Sequence, residues 1–544
     1  MCLAAGCTST DLSAPDAAPP SADNDLGGDA DPTAEAGGWA VVEALPESCP
    51  PGFADGLSGW TEVGFEGSVV ILGPRKDCRG ASGGRTVGGE PISDASIFSI
   101  GSVTKTMTAV AVLQLVEAKR LSLDDSVGQW LDGLSAEVGE VTIAQLISHE
   151  SGLANSHSGD FDPLTRDEAI DAIDALGLAF DPGSSELYSN SGYTLLAAIV
   201  EVVSGQDFRQ VMEDDVLTVG GEQLGWFWNG PVGDGQRAQG VLEGGELGRV
   251  GDFGGPHWAI EGAGGVAMSP SGLTRWASAL LEGALLSPDL VDVLIESDGG
   301  ATGRLLAVGG GDETGQTVVL YVDPETGTSV ALATTSASPN AEDMIPVFLA
   351  PIEEGRPVPL PAQSYSERVD TADVVGLYPV AVDGSTIEVV AVRDGIEAVP
   401  SGGAAMQLLF PIPRGFGLTV AEHENLARAF AAGESEAGAE ELELLRSDLG
   451  LAADAEVTAT VLGSGFITPD VRTYIEFEFG GETLLMWVSL DRAGGLNGID
   501  FEQPLPARRL VATSPNQFVP AESISGDPPF VATIADGELV VEQP

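Results

Sequence analysis

The chain is poor in lysine: its 544 residues include three, Lys76, Lys105 and Lys119, and two of them fall in the stretch Ser99 to Arg120. Basic residues number 23 against 83 acidic ones, a formal net charge of −60. A surface of that sign repels phosphate backbones and anionic headgroups, which excludes nucleic acid as a partner. Cysteine is equally scarce and stops early, at Cys2, Cys7, Cys49 and Cys78, with no metal-ligand spacing, so no cofactor is expected. No apolar run reaches the length of a membrane-spanning helix. What remains, 43% hydrophobic and 19% charged, is globular on average and too long for one core, so two or more domains are expected.

The start reads as a tether. "LAAGC" (Leu3 to Cys7) resembles the lipobox of a bacterial lipoprotein signal peptide and marks Cys7 as a lipid anchor. The acidic, Pro-rich residues that follow, to about position 40, cannot bury a core. The expectation is an exported, extracytoplasmic cell-envelope lipoprotein, monomeric, and touching the membrane only through that lipid. In such a protein Cys49 and Cys78 would pair in a disulfide closing the first strands. A first domain is expected over 41–352 and a linker, "EEGRPVPLPAQ", within 353–366. A mainly β accessory domain is expected over 367–544.

Glycine-broken short strands are read from Trp60 to Ser102, and a helix rich in Ala, Val and Leu from Ser102. "LSLDDSVGQWL" reads as a second short helix capped by Asp124 or Asp125, and "TIAQLISHESGL" as a helix stopped at Ser151-Gly152. "RDEAIDAIDAL" is amphipathic, "SGYTLLAAIVEVVSG" is apolar and buried, and "SPSGLTRWASALLEGALL" opens on Ser-Pro. The strands "QTVVLYVDP" and "SVALATTS" follow. Strands, a helical block and strands again argue for a mixed α/β (α+β) domain whose sheet joins distant ends of the chain. Beyond the linker, Ile475, Phe477 and Phe479 alternate before Gly480-Gly481 as in a hairpin, a helical insert starts near Glu424, and no cluster suggests chemistry.

The scarce Lys105 lies three residues after Ser102, on one helix face. A serine at a helix N-terminus sits where backbone N–H groups favour an oxyanion, and a buried lysine can act as its base. Tyr188 and Asn190 alternate in a Gly- and Ser-rich loop before the apolar helix, placed to face one cleft. A phenol beside a lysine can relay a proton, and an asparagine can orient a substrate amide.

Together, "GSVTKTMTA", "ISHESGL", "YSNSGYTLLAAIVEVVSG" and "GAGGVAMSPSGLTRW" resemble the serine β-lactamase and penicillin-binding-protein family, in its class C β-lactamase, DD-peptidase and esterase branch, from about Trp60 to Ser336. The resemblance implies a β-lactamase/transpeptidase-like fold, an antiparallel sheet flanked by a helical block. It implies Ser102 as acylating nucleophile, Lys105 as its base, Tyr188 as general base and relay, and Asn190 as substrate and lysine anchor. It makes His149 structural, and His157, His257 and His423 are read as surface or loop residues. The family's third motif, Lys or His before any residue and Gly, falls here on Gly309-Gly310-Gly311, so its cation is replaced by Gly309. Gly311 and the Asp312 N–H would then meet the substrate. Losing that partner for a substrate carboxylate, in acidic surroundings, points away from classical penicillins and toward neutral or cationic esters and amides, or D-amino-acid peptides. The expected function is a serine hydrolase acting on ester or amide bonds of small molecules or peptides, D-amino-acid peptides included. The alternative is a catalytically impaired envelope binding protein.

Overall fold

In the run Gln316–Asp323, Val318, Leu320 and Val322 enter one apolar cluster while Val319 and Tyr321 enter another. A strand that buries alternate residues on opposite sides must lie between two layers, and this one does. The computed structural model describes residues 41–44 and 49–543, apart from 186, 243–245, 250–256, 300–302, 312–313, 337–338, 362–373, 381–383, 393–394, 413–418, 436–437, 440–441, 443–456, 468–469, 480–481, 491–495, 502–504, 521–522, 524–528 and 536. The expected tether and Cys7 therefore lie outside the described residues.

Six strands, β1 (Val41–Ala44), β2 (Gly67–Gly73), β3 (Lys76–Ser82), β4 (Leu305–Gly311), β5 (Gln316–Asp323) and β6 (Thr328–Thr334), form one sheet in the order β1-β3-β2-β6-β5-β4. Every pairing is antiparallel, and β6 against β2 joins the two ends of the domain. One face carries the helical block, in which α2 (Val103–Glu117) is buried on nearly every side and packs on α3 (Asn190–Ser204). A helix apolar all round belongs inside a block of others. The other face is covered by α1 (Phe53–Glu62) and by α6, the helix Ala341–Glu354. Two further helices of the block, α4 (Pro270–Leu281) and α5 (Pro288–Gly299), lie between α3 and β4 in sequence. Ser269 caps α4 and Pro270 follows it, as the Ser-Pro start predicts.

Several local expectations are corrected. The strand read from Trp60 does not start there: Trp60 to Glu62 end the helix α1, in which Phe53, Leu57 and Trp60 recur at helical spacing on the face that meets the sheet. Neither Asp124 nor Asp125 caps a helix; only a short turn, Val127–Gln129, forms there, and Asp125 accepts the Ser122 N–H at 2.9 Å. The helix before "HESGL" is Ile143–Ile147, ending before His149, whose φ of 60° lies in the left-handed region. The Pro-rich stretch after α6 lies along α1: Val358 N–H donates to Pro51 O at 2.9 Å, and Trp60 Nε1 donates to Pro359 O at 2.9 Å. The disulfide Cys49–Cys78 ties the entry of α1 to β3.

The C-terminal region is mainly β, as expected. A seven-stranded sheet runs from Gly376–Pro379 to Glu538–Glu542, and a four-stranded one from Thr458–Ile467 to Leu496–Phe501. The hairpin strands Asp470–Phe479 and Glu482–Leu490 pair antiparallel. Tyr474 and Leu485 face the larger sheet, while Ile475, Phe477 and Met486 face the helix Val420–Ala431. That helix starts at its Thr419 cap, earlier than the insert read from Glu424. Val511 and Val519 join the cluster of Phe53, Trp60 and Phe348, so the α1–α6 layer is shared by both regions.

Candidate active site

Ser102 immediately precedes α2, after Gly101 at φ 48°. A Cβ on Gly101 would fall 2.7 Å from the Gly310 backbone nitrogen, so this turn requires glycine. The Ser102 side chain makes no cap bond to α2. Its Oγ instead accepts from Lys105 Nζ at 3.0 Å and from the Tyr188 hydroxyl at 2.6 Å. Lys105 Nζ also donates to Asn190 Oδ1 at 2.6 Å and to Ala263 O at 3.0 Å, and lies 4.6 Å from the Tyr188 ring centroid. Lys105 is buried, 3% exposed, whereas Tyr188 is 40% exposed at the mouth. The four residues singled out by spacing thus converge, although 85 positions separate Lys105 from Asn190.

Local chemistry holds each in place. Ser189 caps α3, accepting from Gly192 N–H at 3.0 Å and donating to Ala154 O at 2.8 Å. Asn190 is the first residue of α3, and its Nδ2 donates to Asn155 Oδ1 at 3.1 Å, which orients its carbonyl toward Lys105. Asn155 belongs to the site, and no pattern in the sequence marks it. His149 stacks on Tyr188 with centroids 4.7 Å apart, and its Nδ1 accepts the Ser189 N–H at 3.1 Å. Burial, and then the neighbouring Lys105 charge, push its pKa down to about 3, so it is neutral at pH 7.

The reading of His423 as a surface or loop residue is overturned, since it lies inside the helix Val420–Ala431; His157 is in a loop, as read, but not at the surface. Both are buried, at 6% and 1% exposure, because each imidazole satisfies polar groups of its own neighbourhood. His157 contacts Ser191 Oγ and Trp258 O. His423 Nδ1 lies 2.6 Å from Thr473 Oγ1 and its Nε2 accepts the Leu490 N–H at 3.0 Å.

A cleft of about 290 Å³ opens over Ser102. It is lined by Ser99, Gly101, Ser102, Asp160, Phe161, Asn190, Trp228, Ile260, residues 263–265, Gly310 and Thr314. Gln316 braces Ser99, accepting from its N–H at 2.8 Å and donating to Ala238 O at 2.8 Å. The edge strand is β4, where the third motif was placed. A Cβ on Gly309 would fall 1.9 Å from Ile100 O and 2.8 Å from Ser102 N, so the strand lies against the backbone of Ser102 and leaves no room for a side chain. Gly310 lines the cleft, Gly311 ends the strand opposite Gln316, and Asp312 lies outside the described residues.

An antiparallel sheet between helical layers, with a Ser–Lys pair at the head of its central buried helix, defines the β-lactamase/transpeptidase-like class. Residues 78–346 match the Beta-lactamase family model, and this part of the chain belongs to that family. The chain is similar to penicillin-binding protein 4 of Amycolatopsis lactamdurans, 38% identical over 138 residues that make up 24% of this chain and 36% of that protein. It is also similar to esterase EstB of Burkholderia gladioli, 32% identical over 145 residues, 23% of this chain and 37% of the esterase. These matches span about a third of the length of the two curated relatives. Among solved structures, the D-amino acid amidase of Ochrobactrum anthropi SV3 shares 20% identity over 55% of this chain and 97% of its own, with a TM-score of 0.48.

Proposed function

We propose that the chain is an exported serine hydrolase that cleaves ester or amide bonds of small molecules or peptides, D-amino-acid peptides among them, through an acyl-enzyme on Ser102. The observation that carries this is the contact of Ser102 Oγ with both Lys105 Nζ, at 3.0 Å, and the Tyr188 hydroxyl, at 2.6 Å. Lys105, as the free amine, takes the Ser102 proton while Oγ forms a bond to the substrate carbonyl carbon. The tetrahedral oxyanion is met by the Ser102 N–H at the head of α2, with the Asp312 N–H as the proposed second donor. The intermediate collapses by breaking the bond to the leaving alcohol or amine, which receives the proton through Tyr188. Water then enters by the same route, and the acid and free Ser102 are released. Asn190 fixes Lys105 and offers an amide to the substrate.

Export is supported by the Cys49–Cys78 disulfide, since such bonds persist in oxidising compartments, and by relatives named as penicillin-binding proteins. A lipid on Cys7 would tether the protein. One observation favours the second reading, an impaired envelope binding protein: position 309 cannot carry the third-motif cation. Hydrolysis of simple aryl esters by wild type and Ser102→Ala separates the two. The hydrolase reading expects a burst of phenol and a loss of about a thousandfold or more in the variant. Equal rates for both proteins would leave the binding reading.

A further inference from the structure

The first residue of β5, Gln316, is 2% exposed, and its side chain lies where two backbone segments part. Ile97 and Arg237 form a parallel bridge: the Ile97 N–H donates to Gln236 O at 2.7 Å, and the Ala238 N–H donates to Ile97 O at 2.8 Å. Continued by one step, that ladder would carry the Ser99 N–H to Ala238 O. The Gln316 carboxamide stands between them instead. Its Oε1 accepts from the Ser99 N–H at 2.8 Å, and its Nε2 donates to Ala238 O at 2.8 Å. A side-chain amide here takes the place of a peptide group, so two buried main-chain groups stay paired across the gap.

The same residue holds the strand beside the nucleophile. The Gln316 main chain pairs with Gly311, the last residue of β4 and the one before Asp312. In its turn β4 lies against the residues that lead into Ser102: a Cβ on Gly101 would fall 2.7 Å from Gly310 N, and one on Gly309 would fall 1.9 Å from Ile100 O. Backbones this close carry no side chain between them, so a residue bonded to both fixes their spacing. Gln316 is bonded to both. Its side chain grips Ser99, three positions before Ser102, and its main chain grips Gly311, directly before Asp312. Those are the two segments proposed to supply the oxyanion donors, and such donors act only within a narrow range of distance and angle.

We infer that Gln316 is a positioning residue for the reaction at Ser102: its carboxamide sets the separation of the Ser102 N–H from the N–H that follows Gly311, and so how well the developing oxyanion is held. The inference rests on the hydrolase reading and adds to it a residue that does not itself line the cleft. The test uses the full chain with p-nitrophenyl acetate and its thiono analogue, O-p-nitrophenyl thioacetate. Sulfur is a weak acceptor, so the thionoester gains less from the two N–H groups. The ratio of the two kcat/KM values therefore reports the oxyanion donors whatever fraction of the enzyme is folded. Gln316→Met keeps the length and removes both bonds, Gln316→Asn shortens the amide's stem, and Gln316→Glu can accept and donate as the amide does while burial keeps its carboxyl protonated. Fluorophosphonate labelling of Ser102 measures the intact nucleophile.

Wild type should prefer the oxygen ester, and in Gln316→Met that preference should shrink about tenfold or more, through a loss of kcat/KM on the oxygen ester. Gln316→Glu should recover part of it near neutral pH. Gln316→Asn, too short to reach both partners, gives the same reading should Gln316→Met fail to fold. A ratio that stays at the wild-type value, or a wild type without preference, overturns the role of Gln316 while labelling leaves the hydrolase reading standing. Absence of labelling in wild type overturns the hydrolase reading, and this inference with it.

Discussion

At the scale of single residues, the proposed mechanism gives Tyr188 a chemical role and His149 a positioning one. Tyr188 donates to Ser102 Oγ at 2.6 Å, and its ring stacks on His149. Tyr188→Phe keeps the ring and removes the proton carrier, so acylation is expected to slow by about a hundredfold to ten-thousandfold, read from the phenol burst. The imidazole of His423 gives a second residue-level prediction. Burial holds its pKa down at about 4 against an ordinary 6.5, so it is neutral in the fold and charges on unfolding at mildly acid pH. A depressed folded pKa contributes stability that is present above 6.5 and is lost as pH falls toward 4. Denaturant unfolding of wild type between pH 7 and 4.5 should therefore show a steeper loss than His423→Gln, by up to about 1.4 kcal/mol per pH unit. Equal slopes would mean that His423 is not held neutral. Comparing the two proteins cancels the common background of the many carboxylates.

At the scale of elements, the edge strand is where this chain departs most from the pattern it resembles. A side chain at position 309 would strike Ile100 O, whereas a Cβ at Gly310 meets nothing nearer than 3.8 Å. Gly309→Ala is expected to cost about 1–3 kcal/mol and to displace the turn that holds Ser102, lowering activity as well. Gly310→Ala should fold with little loss, and unfolding curves for the pair check the contrast. Local signals made the elements nearest the chemistry legible in advance. The Ala-, Val- and Leu-rich run from Val103 to Leu113, the Ser269-Pro270 start and the short apolar run Gln316–Asp323 each encode their own geometry. Less legible was what depends on distant partners. The helix α1 is set by the sheet face that Phe53, Leu57 and Trp60 cover, and Asn155 gains its role only by meeting Asn190. Buried histidines look like any other histidine until their partners, up to 101 residues away, are in place.

At the scale of the whole molecule, a domain of the Beta-lactamase family shares its α1–α6 layer with a β region that carries none of Ser102, Lys105, Tyr188 and Asn190. The disulfide Cys49–Cys78 spans 29 residues and fastens that layer to β3. Its removal in a Cys49→Ser, Cys78→Ser double variant should lower stability by about 2–4 kcal/mol, read from denaturant midpoints under non-reducing conditions. A net charge of −60 makes the folded chain repel itself, so its unfolding temperature should rise with added salt. The central claim, that Lys105 and Tyr188 make Ser102 a nucleophile, is tested most directly by intact mass after exposure to a fluorophosphonate. That reagent needs an activated serine and no cationic partner, so the strand's close approach at Gly309 does not mask the result. One adduct on the wild type, absent from Ser102→Ala, is the predicted outcome. A folded wild type that stays unmodified would contradict the account.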